Sequence, residues 1–161
     1  MKKGFTMIEL IFVIVILGVL ASVAIPRLAA TRDDAEVAKA ATNLTTAVSD
    51  ITAYYTAKGN FSGVSSDFTK VTNALTKDGK LNVKGSTTCV TVTVPATNNT
   101  ANNSDAVKIS LKFSNSDAVC KTLMTLPGIK AMCGKSGSGD SIGTGSSDCQ
   151  IQVGGSGGIQ F

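Results

Sequence analysis

The stretch that decides the fold is Gly4–Ile25, which reads GFTMIELIFVIVILGVLASVAI. From Phe5 onward it is an apolar run of 21 residues with a single charged side chain, Glu9. As a helix these residues rise about 32 Å, which is enough to cross the hydrocarbon core of a bilayer. Because Lys2 and Lys3 precede the run, the positive-inside rule predicts a cytoplasmic start, with the rest of the chain on the outer side.

Two simpler interpretations leave part of this run unexplained. A secretory signal peptide has a shorter apolar core and a small-residue cleavage site, whereas this run ends in Ile25-Pro26-Arg27-Leu28. A plain membrane anchor accounts for the length but not for Glu9. A charge within a membrane helix costs about 2.5–3.5 kcal/mol on insertion scales, and less near the interface, so Glu9 is interpreted as functional and in need of a cationic partner.

The motif at the start of the run is more specific than its hydrophobicity. A short basic leader, Met1–Gly4, precedes Phe5, and Glu9 is the fifth residue after the leader. This arrangement, Gly4-Phe5-Thr6-Met7-Ile8-Glu9-Leu10, resembles the prepilin signature of type IV pilins and type II secretion pseudopilins. The resemblance implies that a prepilin peptidase at a bacterial inner membrane cuts between Gly4 and Phe5 and then methylates the new Phe5 amine.

The resemblance also implies a role for Glu9 in assembly. In the family, the glutamate of one subunit pairs with the N-terminal amine of its neighbour, which in this chain would be the amine of Phe5. Cleavage alone frees that amine, so processing would act as a switch for assembly. The implied product is a homo-oligomeric helical filament, built at the inner membrane by an assembly ATPase and platform proteins. No cofactor is expected.

The helix is predicted to continue past the apolar run. Pro26 lacks an amide donor and frees the carbonyl of Ser22, and Gly18 weakens the helix upstream, so we expect a kink there and not an end. Beyond the kink, apolar side chains recur at steps of three and four residues, which is the period of one helical face. These side chains are Val37, Ala41, Leu44, Val48, Ile51 and Tyr55. Gly59 is the expected C-terminal cap.

Four segments follow from this reading. Residues 1–4 are the leader, 5–27 the membrane-spanning and filament-core half of the helix, 28–58 its amphipathic half, and 59–161 a globular head with an αβ-loop. The fold class predicted is α+β. The resemblance implies the pilin fold, in which the C-terminal half of the long helix packs on a small antiparallel sheet of three to five strands.

Alternation and capping residues place the elements of the head. The predicted strands are Thr87–Val94, Ala106–Phe113 and Cys149–Val153, with a final edge strand at Gly158–Phe161. The predicted short helices are Asp67–Thr76 and Asp117–Leu126, the second with Ser116 as N-cap and Pro127-Gly128 as its stop. The predicted loops are the rest of Gly59–Gly85, the polar turn Pro95–Asp105, and Gly134–Ser147.

Four cysteines are predicted to form two disulfides, because a head outside the cytoplasm favours oxidation. Four thiols allow three pairings, and a zinc site is disfavoured because no C-x-x-C pair is present. Pilins commonly close a C-terminal loop with a disulfide. The pairing we favour is Cys120–Cys149 with Cys89–Cys133, closely followed by Cys120–Cys133 with Cys89–Cys149.

Composition argues against catalysis and nucleic-acid binding. The chain has no histidine, which excludes Ser-His and Cys-His pairs and imidazole metal ligands. Its net charge of +4 is spread without a basic stripe, and aromatic residues make up 5% with no Trp, so no nucleic-acid partner is expected. Asp140 and Asp148 flank Ser- and Gly-rich turns, but these carboxylates are too few to favour a calcium site.

Two functional classes stay open. The first is a major structural subunit of a surface type IV pilus, serving adhesion, twitching motility or DNA uptake. The second is a pseudopilin that forms a short periplasmic piston in a type II secretion system. A polar head closed by disulfides and rich in Ser, Thr and Asn favours the pilus, whereas calcium binding would favour secretion. An enzyme anchored by this helix is disfavoured because catalytic residue types are missing.

Overall fold

The structure, a computed structural model, describes residues 4–95, 106–135, 141–145 and 149–154. Its longest element is α1, a helix of 52 residues that spans Met7–Lys58. The chain separates into two compact units, residues 1–35 and residues 36–161, and α1 contributes to both. α1 ends where the sequence predicts, because Gly59 adopts a φ of 70° and its amide donates to the carbonyl of Tyr55 at 2.7 Å.

In the first unit, α1 runs without interruption through Gly18 and Pro26. Ser22 turns its hydroxyl back onto the helix, where Oγ donates to the carbonyl of Val19 at 2.7 Å. Serine and threonine hydroxyls that bond back in this way often accompany bends in helices. The predicted kink at Gly18, Ser22 and Pro26 stays a prediction.

The second unit contains a four-stranded antiparallel sheet in the order β1-β2-β3-β4. The strands are β1 Lys80–Val83, β2 Thr87–Thr93, β3 Val107–Phe113 and β4 Gln150–Gly154. The predicted α+β class, a long N-terminal helix followed by a small antiparallel sheet, is thereby confirmed. The order is consistent with the pilin fold and joins sequence neighbours throughout, so each strand pairs with the one that precedes it.

One face of α1 closes the core of this unit. Leu44 and Ile51 are completely buried there, and Ala40 and Ala47 join them, although the predicted stripe did not include these two alanines. The same core contains inward-facing side chains of all four strands, so helix and sheet bury one another. These strand residues include Leu81, Val83, Val90, Val92, Ile109, Leu111, Phe113 and Val153.

The helix predicted at Asp67–Thr76 is wrong. Only Phe68–Lys70 is helical, as a single turn of 3₁₀ helix whose N-cap is the carboxylate of Asp67, which accepts from the Thr69 amide at 3.1 Å. The Phe68 amide instead donates to the carbonyl of Lys77 at 3.0 Å. This hydrogen bond brings Lys77 next to Phe68, so the segment folds back on itself. A continuous helix over Asp67–Thr76 could not do this.

The strand β1 was missed because it is short and was assigned to a loop. It begins directly after Gly79, whose φ of 72° favours glycine. A Cβ at Gly79 would lie 2.7 Å from the carbonyl oxygen of Val92, so this turn requires a residue without a side chain. The four residues of β1 alternate between exposed and buried, which is the two-residue period of a strand.

The two short helices of the head follow β3. The predicted helix is found as α2, Ala118–Thr125, but its N-cap is Asp117 and not Ser116. The carboxylate of Asp117 accepts from the Val119 amide at 2.8 Å. α2 ends directly before Pro127, as predicted, with Leu126 as its C-cap. Pro127 also opens a further helix that was not predicted, α3, Pro127–Met132, because a missing N–H is no loss at the first helical position.

Two disulfides are present, but neither favoured pairing is correct. Cys89 bonds Cys120 and Cys133 bonds Cys149, with Cα–Cα distances of 5.0 and 4.7 Å. The physical reason is a β-bulge. Val90 pairs with Leu81 and Thr88 pairs with Asn82, so Cys89 is the extra residue of the bulge in β2. There Cys89 meets Cys120 on the buried side of α2. By loop-closure entropy, each bridge stabilises the head by about 3–4 kcal/mol.

Several predicted features fall outside the described residues. These are the edge strand Gly158–Phe161, residues 96–105 of the polar turn, residues 136–140 and 146–147 of the Gly- and Ser-rich loop, and both Asp140 and Asp148.

Candidate functional site

The N-terminal part of α1 exposes an apolar surface on all sides. Leu20 is 63% exposed and Phe5, just before the helix, is 83% exposed. Among the described residues, Met7–Ile25 is the helix that is long and apolar enough to cross a membrane, and none of it is buried within the chain. Each large side chain left in water forgoes about 1.5–3 kcal/mol of burial free energy. An exposed patch of this size marks an interaction surface for lipid or protein.

The first turn of α1 is held by a capping box formed by Thr6 and Glu9. The Thr6 amide and hydroxyl both donate to Glu9 Oε2, at 3.0 and 2.7 Å. In return, the Glu9 amide donates to Thr6 Oγ1 at 3.4 Å and to the Thr6 carbonyl at 3.1 Å. This reciprocal pattern satisfies two amides that the start of a helix leaves without partners. The negative carboxylate also lies at the positive end of the helix dipole.

Gly4 and Phe5 lie outside the helix, immediately before this box. Both are exposed, and neither is in regular secondary structure. The Gly4–Phe5 peptide bond is therefore accessible in this conformation, and its cleavage stays a prediction. Cleavage there would turn the Phe5 nitrogen into a free amine beside Thr6, whose own amide already lies 3.0 Å from the Glu9 carboxylate.

The hydrogen bonds of Glu9 are thus with Thr6, the residue that follows Phe5 in the chain. Gly18, Ser22 and Pro26 lie further along α1, and the four cysteines belong to the second unit. Sequence reasoning missed Thr6. The signal was present, since Thr6-Met7-Ile8-Glu9 fits the spacing of a capping box.

Charged groups in the head serve local structure. The Val119 amide hydrogen bond, helped by Lys84 at 3.4 Å, lowers the pKa of Asp117. The Thr69 hydroxyl does the same for the pKa of Asp67. Within the described ranges, no cluster of three or more His, Cys, Asp or Glu side chains could hold a metal ion.

Comparison with known protein families matches residues 1–25 to the prokaryotic N-terminal methylation motif. Searches of the curated proteins and of the solved structures found no match. The matched residues contain the leader, the exposed Gly4–Phe5 bond, the capping box and the exposed apolar run. In the family this motif implies processing by a prepilin peptidase and assembly into a filament. The chain carries the N-terminal signature of the type IV pilins and pseudopilins.

Proposed function

We propose that this chain is a structural subunit of a type IV pilus, which serves adhesion, motility or DNA uptake. The observation that carries the proposal is the methylation motif at residues 1–25, which contains an apolar helix that no described residue of the chain buries. A leader that is cut on the cytoplasmic side leaves this helix in the mature protein. The helix is then available first to lipid and later to other subunits.

In this proposal, the peptidase cuts between Gly4 and Phe5 and methylates the Phe5 amine. The accessibility of both residues supports the choice of bond. The mature chain begins at Phe5, one residue before the helix cap. It spans the inner membrane once, with its head in the periplasm, until it is assembled. Two disulfides in the head support an oxidising compartment on that side.

Glu9 carries the assembly step. In the single chain its carboxylate is satisfied by Thr6. In the filament core, where water is excluded, a hydrogen-bonded carboxylate still needs a positive charge, because an unpaired buried ion costs several kcal/mol. The methylated Phe5 amine of a neighbouring subunit supplies that charge. A precursor that keeps its leader has no such amine and is not admitted, which makes processing the checkpoint for assembly.

The second candidate is a pseudopilin of a type II secretion system, and the same motif supports it equally. The pilus is favoured because the head combines two disulfides with a composition rich in Ser, Thr and Asn, which suits a surface exposed outside the cell. Neither candidate is an enzyme, in keeping with the absence of histidine from the chain.

Intact mass spectrometry of filaments sheared from native cells tests the proposal. The expected species lacks Met1–Gly4, carries one added methyl group, and lacks the four thiol hydrogens. The same mass found only in the cell envelope would favour the pseudopilin. A species that retains Met1–Gly4 in cells with active prepilin peptidase would refute processing at this bond, and the filament proposal with it.

A further inference from the structure

A groove of about 290 Å³ lies on the head, on the opposite side of α2 from its buried residues. α2 lines it with Lys121 and Met124, which are three residues apart and share a helical face. Lys130 of α3 contributes from a second side. Ser141 and Ile142 contribute from the segment between Cys133 and Cys149. Three separate parts of the chain therefore converge on one small concave surface.

Both disulfides hold the walls of this groove. Cys120 fixes α2 to β2 through Cys89, and the Cys133–Cys149 bridge closes the segment that carries Ser141 and Ile142. Ile142 is only 4% exposed, so the described residues 141–145 are anchored in the core at this point. The carbonyl of Cys149 accepts from the Leu111 amide at 2.9 Å, which ties the same bridge to β3. The groove is therefore preformed, as binding sites for small molecules usually are.

The chemistry of the lining is cationic around an apolar floor. The ammonium groups of Lys121 and Lys130 and the amide of Asn115 supply hydrogen-bond donors, while Met124 and Ile142 supply apolar contact. Among the residues that the structure describes, the lining contains no carboxylate. Neither lysine forms an ion pair with another described residue. The nearby carboxylate of Asp117 binds Lys84 at 3.4 Å and caps α2, and it also interacts electrostatically with Lys121.

We infer that this groove binds a small organic anion, whose charged group lies between Lys121 and Lys130 and whose compact apolar part contacts Met124 and Ile142. A volume of about 290 Å³ is at the lower end for ligand sites, so the ligand is small. Two ammonium groups beside an apolar floor favour an anion over neutral and cationic molecules of the same shape. The site lies wholly in the head and does not depend on the filament proposal.

The test uses the full chain with both disulfides intact, in zwitterionic detergent micelles, with ¹³C-labelled methionine methyl groups. The probe is sodium benzoate, and benzamide is its neutral analogue of the same shape. The Met124 methyl reports on the groove, and the Met132 methyl on α3 is outside its lining. Met7, in the exposed apolar segment, reports any benzoate that partitions into the detergent.

Saturable benzoate shifts at Met124 are expected without matching shifts at Met7 or Met132. Removing both charges, in a Lys121→Gln/Lys130→Gln variant, should weaken binding by about tenfold or more, since two charge-assisted contacts are lost. Lys108→Gln, which removes an exposed lysine of β3 outside the groove, should leave the affinity unchanged. Benzamide should bind at least about tenfold more weakly than benzoate, and added salt should weaken benzoate alone.

Three results would overturn the inference. The first is a Met124 shift that is absent or does not saturate. The second is equal binding of benzamide, which would make the groove merely apolar. The third is unchanged benzoate affinity in the double lysine variant. Lys121 is exposed and Lys130 is half-buried, so the double variant is expected to fold. Its unfolding midpoint provides the check.

Discussion

The two halves of α1 are parts of one continuous helix, yet they treat apolar side chains in opposite ways. In Met7–Ile25 apolar residues surround the helix, and all of them are exposed; in Val37–Ile51 they occupy one face, and that face is buried. Leu20 is 63% exposed, whereas Leu44 is 0% exposed. The same residue type in the same helix is thus exposed in one half and lies in a packed core in the other.

This difference separates assembly from folding. The second half meets a sheet encoded in the same chain, so its burial free energy is realised when one subunit folds. No described residue buries the first half, so its burial free energy is left for lipid or, under the proposed function, for other subunits. A helix that is apolar all round is one that is buried on every side in its working state. Three sets of substitutions test this division.

The largest effect is expected at the one charge in the exposed half. Glu9→Ala removes both the helix cap and the negative charge, and it should abolish filaments while leaving membrane insertion intact. Losing one partner of a buried pair costs about 3–5 kcal/mol, which would recur at every subunit contact. The measurement is the amount of subunit in the sheared filament fraction, relative to the amount in the membrane.

Glu9→Gln separates the cap from the charge. Glutamine at this position can still accept from the Thr6 amide, as in a capping box, but it cannot neutralise an amine. We expect this variant to assemble as poorly as Glu9→Ala. Asp78→Asn, the same type of change at an exposed site of the head, should assemble normally. Wild-type filament yields from Glu9→Gln would show that Glu9 acts only as a cap and would refute the amine pairing.

The second effect compares matched leucines. Leu44→Ala should lower the free energy of unfolding of the head by about 2–5 kcal/mol, because it opens a cavity in the core. Leu20→Ala should change it by less than about 0.5 kcal/mol, because nothing in the chain packs on Leu20. Denaturant unfolding of the full chain in micelles, followed by the fluorescence of Tyr54 and Tyr55, measures both. Equal losses in the two variants would contradict the division between the halves.

Both halves of α1 left local signals in the sequence. The motif and apolar run of the first half are contiguous, so the motif could be recognised from neighbouring residues alone, while the roles of Gly4, Phe5 and Glu9 stay predictions. The stripe on the second half was also readable, since helical periodicity is local. Thr6 was missed only because Glu9 was interpreted through its partner in another subunit, and its partner in the same chain was not considered.

The head was less predictable because its decisive contacts are long-range. β1 has four residues and is a strand only because β2 lies beside it. The cysteine pairing depends on a bulge at Cys89 and on the packing of α2, and neither leaves a mark in the spacing of cysteines along the chain. The groove beside α2 likewise combines residues from three parts of the chain, which no motif in the sequence links.

The smallest effect concerns a charged residue of the head, Asp117. The folded state lowers the pKa of Asp117 below its ordinary value of 3.8, mainly through the Val119 amide and also through Lys84. A lowered pKa means that Asp117 stabilises the head above the pKa of the unfolded chain. That contribution declines as the pH falls through the lower folded-state pKa, where the native carboxylate takes up a proton.

Asp117→Asn should therefore reduce the decline in the free energy of unfolding at acid pH, which is the acid limb of the stability curve. It should preserve the helix cap, because asparagine is also a good N-cap. Asp117→Ala should lose the cap as well and be less stable than Asp117→Asn at neutral pH. Denaturant midpoints measured from neutral pH down through the ordinary pKa of 3.8 provide the comparison. Asp67 has its own lowered pKa and keeps part of the acid limb in both variants. If Asp117→Asn leaves the slope unchanged, the Lys84 and Val119 contacts do not favour the charged form, and the acid limb belongs to other carboxylates. Filament formation should not respond to either variant at neutral pH, because the exposed half of α1 contains neither Asp117 nor its partners.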